Sequence, residues 1–323
     1  MTMPNFLIIG AMKCGTTSLH NYLSCHPQIF MSPMKEPKFF VYENCPQPKY
    51  CGLDKDHPAY RGAVDRRRGK KYPFAITQLA DYEDLFSKAQ PGNAIGESSP
   101  LYLYHPRAAE RIQHHVPHAR LIAVLRNPVD RAYSQFKYHR KRGMEPIDEF
   151  AKALEMEPVR IQRDWYPAWF YKQRGFYYQQ LKRYYGRFDR NQIRIYLYNN
   201  FCSDPEGMLK DIFRFLGVDE TFIPDLSRRF NAGEGPMYRP KVEAVDRFLN
   251  NPNTIKSVIK KIMPLKLLRH IKARVENKNI GSEFQFIVPP MSDEIRMQLQ
   301  NEYREDILKL QDLIGKDLSG WLV

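Results

Sequence analysis

The chain has 323 residues, 43% hydrophobic and 27% charged, which is an ordinary globular composition and excludes a disordered or fibrous chain. Fifty Lys and Arg against 36 Asp and Glu leave a formal charge of +14 and a pI near 9.4, so an anionic partner is expected: a nucleotide, an anionic glycan, a nucleic acid or a membrane surface. No stretch approaches the roughly 20 apolar residues of a membrane span, and the first apolar run lacks the basic flank of a signal peptide, which predicts a soluble, cytoplasmic chain.

Asn5–Gly10 is apolar without alternation, the pattern of a parallel strand buried on both faces. It runs into Lys13-Cys14-Gly15-Thr16-Thr17-Ser18 and then a helix over Thr16–Cys25, with Leu19 and Leu23 facing inward and His26-Pro27 ending it. Strand, glycine turn and helix start together aim free backbone N–H groups, a helix dipole and Lys13 at one point, an arrangement that suits a phosphate or a sulfate. The loop is not a Walker loop. Lys13 precedes Gly15, and no G-x-x-x-x-G-K-[ST] order exists, so Mg-ATP is not the expected ligand.

Gln28–Pro33 predicts a short strand leading into Lys35-Glu36-Pro37-Lys38-Phe39-Phe40. A carboxylate between two lysines is ordinarily a solvated pair, but the apolar sequence around Glu36 makes it a candidate general base. Val41–Lys71, rich in Pro and Gly and carrying Arg66-Arg67-Arg68, reads as a long surface insertion. A helix over Thr77–Ser87 follows, then a strand over Ala94–Glu97 ending in Ser98-Ser99-Pro100, and a helix over Pro106–His115. Arg120–Leu125 is the clearest strand. It meets Arg126-Asn127-Pro128 and a helix to Lys141 that carries Ser134, so Arg126 and Ser134 form a candidate second anion pocket.

Pro146–Lys172 is expected to be mostly helical. Its Trp165, Tyr166, Trp169 and Tyr171, with Tyr177, Tyr178, Arg160, Arg163 and Arg174, are expected to divide between core and an acceptor cleft. Then come a helix over Phe176–Tyr185, a strand over Ile193–Tyr198, a helix over Pro205–Leu216 with Gly217 past its end, and a closing helix over Ser292–Leu313. The five cysteines, Cys14, Cys25, Cys45, Cys51 and Cys202, make no C-x-x-C; Cys45 and Cys51 share a Pro-rich loop where a pairing is the alternative, but free thiols are expected in a reducing compartment. The alternation of strand and helix predicts an α/β fold over residues 1–323, one domain built on a central parallel sheet flanked by helices. Ligands on such sheets sit at the carboxyl ends of the strands, which places the loops after Gly10, Leu125 and Tyr198 on one rim.

At these residues the chain resembles the sulfotransferases that use 3′-phosphoadenosine 5′-phosphosulfate (PAPS), whose fold is P-loop-like. Phe6–Leu19 is similar to their 5′-phosphosulfate loop and Arg120–Ser134 to their 3′-phosphate motif. Glu36 before Pro37-Lys38-Phe39-Phe40 matches the proposed base of the glycosaminoglycan-type members. Gly96–Pro100, Gly175–Tyr184, Asn231–Pro240 and Asp317–Leu322 resemble further family segments in the same order. The resemblance implies a cofactor site made of Lys13, Cys14, Gly15, Thr16, Thr17, Ser18, Arg126, Ser134, Gly235 and Tyr238. It implies in-line transfer to a hydroxyl or amine of a small molecule or carbohydrate, with PAP (3′-phosphoadenosine 5′-phosphate) as product, no metal and no nucleic-acid partner. Lys13 would stabilise the leaving phosphate and Glu36 would be the base. A histidine is the alternative base. Of His20, His26, His105 and His139, all near motifs, His105, after Ser99-Pro100-Leu101-Tyr102-Leu103-Tyr104, is the catalytic candidate to test alongside Glu36. Ser98 stands where several glycosaminoglycan enzymes carry Lys, and Glu234 and Pro236 stand where they carry basic residues. The rival classes are a P-loop kinase or NTPase, and a non-enzymatic basic module that binds polyanions.

Overall fold

All five residues of β1 (Phe6–Gly10) are buried, as an apolar run without alternation requires. The structure, a computed structural model, describes residues 2–45, 75–227, 237–240, 280–284 and 288–323, with backbone alone at 237–240 and 280–284. From β1 the chain passes through α1 (Thr16–Ser24), β2 (Ile29–Met31), α2 (Phe39–Tyr42), α3 (Leu79–Asp84), β3 (Ala94–Ser98), α4 (Leu101–Tyr104) and α5 (Ala108–His115). It continues through β4 (Arg120–Leu125), α6 (Pro128–Lys141), α7 (Phe150–Glu155), α8 (Glu157–Gln162), α9 (Tyr177–Tyr185), β5 (Ile193–Leu197), α10 (Tyr198–Ser203) and α11 (Pro205–Leu216). β6 (Met237–Pro240) and β7 (Ile280–Phe284) pair antiparallel, and α12 (Asp293–Ile314) follows.

The main sheet has the order β2-β3-β1-β4-β5 and every pairing is parallel. The chain leaves β1 toward β3 and β2 on one side, then returns to β4 and β5 on the other. β1 and β4 therefore flank the point where the winding reverses, and the crevice for a ligand opens at their carboxyl ends. Gly96 lies in β3 because an added Cβ would stand 2.1 Å from the Phe6 ring across the pair. The ring uses the space that a side chain would take.

Most helices form where the sequence places them. Asn127 caps α6, its side-chain oxygen accepting the Val129 N–H at 3.0 Å, with Pro128 at the first helical position. Ser292 caps α12, and Gly217 ends α11 at φ 73, in the left-handed region. The segment from Pro146 to Lys172 corrects the expectation. It is not mostly helical but two six-residue helices, α7 and α8, joined by turns to short 3-10 segments at Pro167–Trp169 and Gln173–Gly175. Buried polar bonds hold it in place of helical ones. Cys14, Cys25, Cys45 and Cys202 are free thiols. Most of the expected insertion Val41–Lys71 lies outside the described residues, as does Gly235; the backbone at Tyr238 lies opposite Glu283 in the β6–β7 pair.

Candidate active site

Two cationic loops meet at the winding reversal. Between β1 and α1, Lys13 and Gly15 both take the left-handed region, at φ 70 and 83. Gly15 is the N-cap and supplies no side-chain cap, so the first turn of α1 brings backbone N–H groups and the positive end of a helix dipole to this loop, the features that suit an anion. An added Cβ at Gly15 would stand 3.0 Å from the Phe201 ring and 3.2 Å from the Tyr198 ring, so α10 closes the outer side of the loop. The Lys13 ammonium lies 4.1 Å from the centroid of Tyr138 on α6. Arg126, at the end of β4, sets its guanidinium 4.8 Å from the Tyr198 centroid. Ser134 is partly exposed on α6, about two turns past Arg126.

Among the described residues, the charges at this point are predominantly positive. Burial pushes the Lys13 ammonium down to about 8, and Arg126, Arg142 and Lys137 push in the same direction, opposed by the Cys14 thiol. Four cations around one crevice repel each other until an anion arrives. That is the observation of this structure which fits a doubly anionic nucleotide. Tyr177 ties the two loops together beneath the crevice, its hydroxyl donating to the Arg126 carbonyl at 3.1 Å and standing 3.9 Å from Cys14 Sγ.

Glu36 is held beside this point by its backbone. Its N–H donates to the Ser98 carbonyl at 3.0 Å, the Lys38 N–H donates to Ser99 Oγ at 3.1 Å, and the Ile76 N–H donates to the Pro37 carbonyl at 2.9 Å. Glu36 and Lys38 take φ of 61 and 56, so three of the five described non-glycine residues at positive φ, counting Lys13, lie in the two candidate catalytic segments. Such conformations cost about 1–3 kcal/mol each and persist only where the surroundings enforce them. Lys35 Nζ lies 3.0 Å from Glu36 Oε1. Arg174, buried, donates to Met12 Sδ at 3.2 Å; burial and then Arg131 push it down to about 10, against Tyr166, Tyr104 and Glu36. Glu36 and the first loop thus share a neighbour.

The histidines separate clearly. His20, on α1, is pushed down to about 4 by burial and Lys35, against the pull of Glu36. His105 is also pushed down to about 4, by burial and then Arg111, Arg107 and Arg183, none of which belongs to either anion loop or to the Glu36 segment. His20 is thus the histidine on which the Lys35 and Glu36 charges act. His26 is structural, its Nε2 2.9 Å from the Asp219 carbonyl. His139 is buried in a closed network. Tyr171 donates its one hydroxyl proton to Glu145 at 2.7 Å, so His139 Nδ1–H donates to Tyr171 at 2.9 Å and His139 Nε2 accepts from the Gln135 amide at 2.8 Å. The ring is neutral, and burial, followed by Lys13 and Arg160, keeps it so. Glu145 also binds buried Arg160 at 2.8 Å.

The aromatic stretch divides as expected between core and surface side. Tyr166, Trp169, Tyr171 and Tyr177 are core, as are Arg160 and Arg174, which leaves Trp165, Tyr178 and Arg163 at the surface side. Sequence reasoning missed several residues of the site: Lys137, Tyr138 and Arg142 on and just past α6, Phe201 on α10, and the fully buried carboxyl of Glu97. The basic run at the end of the Val129–Lys141 helix was a visible signal for the first group; the buried carboxyl had none. Glu97 is pushed up to about 7 by burial, with the Tyr102, Ser99 and Tyr82 hydroxyls opposing and Glu36 adding to the rise. Its Oε1 accepts from Tyr82 at 3.2 Å.

A parallel sheet with a glycine-capped, lysine-bearing loop at its winding reversal, and an arginine at the end of the adjoining strand, defines a P-loop-like enzyme that handles anionic groups. Residues 4–222 match the model of the sulfotransferase family, which is more than half of the chain, and the chain belongs to that family. It is 26% identical over 329 residues to the bifunctional heparan sulfate N-deacetylase/N-sulfotransferase 4 of Mus musculus, a match covering 99% of this chain and 31% of that protein. It is 27% identical over 234 residues to the heparan sulfate glucosamine 3-O-sulfotransferase 6 of Homo sapiens, covering 72% of this chain and 57% of that one. The chain thus spans about a third of the length of the first relative. Among solved structures, the sulfotransferase from Alicyclobacillus acidocaldarius superposes with a TM-score of 0.71 at 29% identity, covering 99% of both chains.

Proposed function

We propose that the chain moves the sulfuryl group of PAPS to a hydroxyl or amine of a carbohydrate or small-molecule acceptor, with PAP as the product. The observation that carries this is the cluster of Lys13 and Arg126, behind β1 and β4, with Lys137 and Arg142 from α6 and its end. Bound PAPS would supply a sulfuryl group already activated on a phosphate leaving group. Lys13 and the backbone N–H groups from Gly15 to Ser18 would hold its 5′ end, and Arg126 and Ser134 its 3′-phosphate. Lys13 would balance the charge that grows on the departing phosphate, in a site where burial strengthens the interaction. Glu36 would take the proton of the acceptor, with Lys35 Nζ 3.0 Å from its Oε1 holding the carboxylate in place. A carbohydrate acceptor is supported by the two relatives named for heparan sulfate.

The test is turnover of labelled PAPS over a panel of carbohydrate, amine and phenol acceptors, together with PAP titration. PAP is expected to raise the melting temperature. Glu36→Gln is expected to lower turnover about 100- to 10,000-fold while PAP affinity holds. A melting temperature indifferent to PAP would overturn the donor assignment, and full turnover by Glu36→Gln would move the base elsewhere.

A further inference from the structure

We infer that Tyr177 is a positioning residue that sets the distance between the two anion loops, and so makes the protein recognise both ends of a nucleotide bisphosphate as one unit. The inference rests on the placement of the 5′ end at Lys13–Ser18 and of the 3′-phosphate at Arg126. Tyr177 touches neither phosphate position. Its hydroxyl lies behind them, donating to the Arg126 carbonyl at 3.1 Å and standing 3.9 Å from the Cys14 sulfur, so one atom joins the backbone of one loop to the side chain of the other. The residue is 0% exposed, and its bond to Arg126 does not compete with water. Burial pushes the phenol well above its ordinary range, so the donating proton is present at any working pH.

The brace is anchored from outside the sheet. Tyr177 is the first residue of α9, and that helix start is held by α12. Asp306 accepts the Tyr178 N–H at 3.0 Å. Just before α9, Gly175 fits against Tyr303, where an added Cβ would stand 2.6 Å from the phenol oxygen, and Tyr303 donates to the Lys172 carbonyl at 2.8 Å. No other described hydrogen bond joins a residue of the 11–18 loop to Arg126. With the brace intact, the two anion sites are spaced before the ligand arrives, and the ligand does not lose affinity in aligning them.

The distinguishing measurement is the affinity gained from the 3′-phosphate, read as the ratio of dissociation constants of adenosine 5′-phosphate and PAP by calorimetry. Tyr177→Phe keeps the ring and removes the tie. It should shrink that ratio about fivefold, the worth of one buried hydrogen bond, while adenosine 5′-phosphate itself binds within about twofold of wild type. Asp306→Asn reaches the same brace from outside the cradle and should shrink the ratio in the same direction by a smaller factor. A merely structural role would lower both affinities by the same factor, and that result overturns the inference. A wild-type ratio that survives Tyr177→Phe sinks the brace alone. A wild type that gains nothing from the 3′-phosphate sinks the Arg126 assignment, and the brace with it.

Discussion

If the cluster around Lys13 awaits an anion, PAP binding must draw in a proton at alkaline pH. In the free protein burial and the neighbouring Arg126, Arg142 and Lys137 hold the Lys13 ammonium down to about 8, against its usual 10.5. A dianionic phosphate beside it reverses that repulsion. The bound form therefore holds the proton more tightly than the free form, and affinity falls as pH rises through 8. If the ammonium regains its ordinary range, the coupling is about 3 kcal/mol, from roughly 1.4 kcal/mol per pKa unit. At pH 9 free Lys13 is about one-tenth protonated and the bound residue almost fully so, for an uptake of about 0.9 proton per ligand; at pH 7 the uptake is about 0.1. The ligand's phosphates have lost their second protons well below pH 8, and Cys14, pushed up by burial, keeps its proton in both states. Calorimetry in buffers of different ionisation enthalpy counts the protons directly. Equal uptake at pH 7 and pH 9, or uptake that persists in Lys13→Gln, would refute the reasoning.

Glu97 keeps its proton in the folded state up to about pH 7, whereas the unfolded carboxyl loses it near 4.5, so stability declines between those values as pH rises. Glu97→Gln should remove about 3 kcal/mol of that decline, seen as a urea midpoint that changes less between pH 5 and pH 8 than in wild type. Gly15→Ala should cost about 1–2 kcal/mol for the left-handed backbone alone and should abolish PAP binding, because the new methyl must displace the Phe201 ring or the loop; unchanged PAP affinity would count against the loop assignment. Glu145→Ala strands Arg160 and Tyr171 in the core and should destabilise the protein by about 3–5 kcal/mol in chemical denaturation; a loss under 1 kcal/mol would mean that water reaches the network.

The parts legible in the sequence were those with local causes. Phe6–Gly10 and Arg120–Leu125 had to be central strands because nothing else hides such apolar runs. The loops after them had to share a rim because parallel strands end on one side. The segment from Pro146 to Lys172 was misjudged because its order comes from Glu145, Arg160, Tyr171 and His139, which look like surface polar residues until a partner far along the chain buries them. Glu97 and Asp306 were silent for the same reason: a carboxyl acquires its environment from other elements, and single-chain patterning does not record who the neighbour is. His105 drew attention through its place in a motif, yet the turn after α4 sends it among Arg107, Arg111 and Arg183. Glu36 had the opposite fate, because two left-handed residues and three backbone bonds fold a short charged segment back against β3.

The reach of α12 bears on how this protein can be cut and recombined. The family match ends at residue 222, whereas α12 begins at Asp293, and the helix nonetheless secures the start of α9 through Asp306 and Tyr303. A fragment ending at residue 222 would carry every residue of the Lys13 and Arg126 loops and still lack the support behind them. Chimaeras that exchange the conserved portion between relatives would inherit the anion sites from one parent and their backing from the other. The boundary set by sequence likeness and the boundary set by mechanical support are different boundaries, and expression fragments should be chosen by the second.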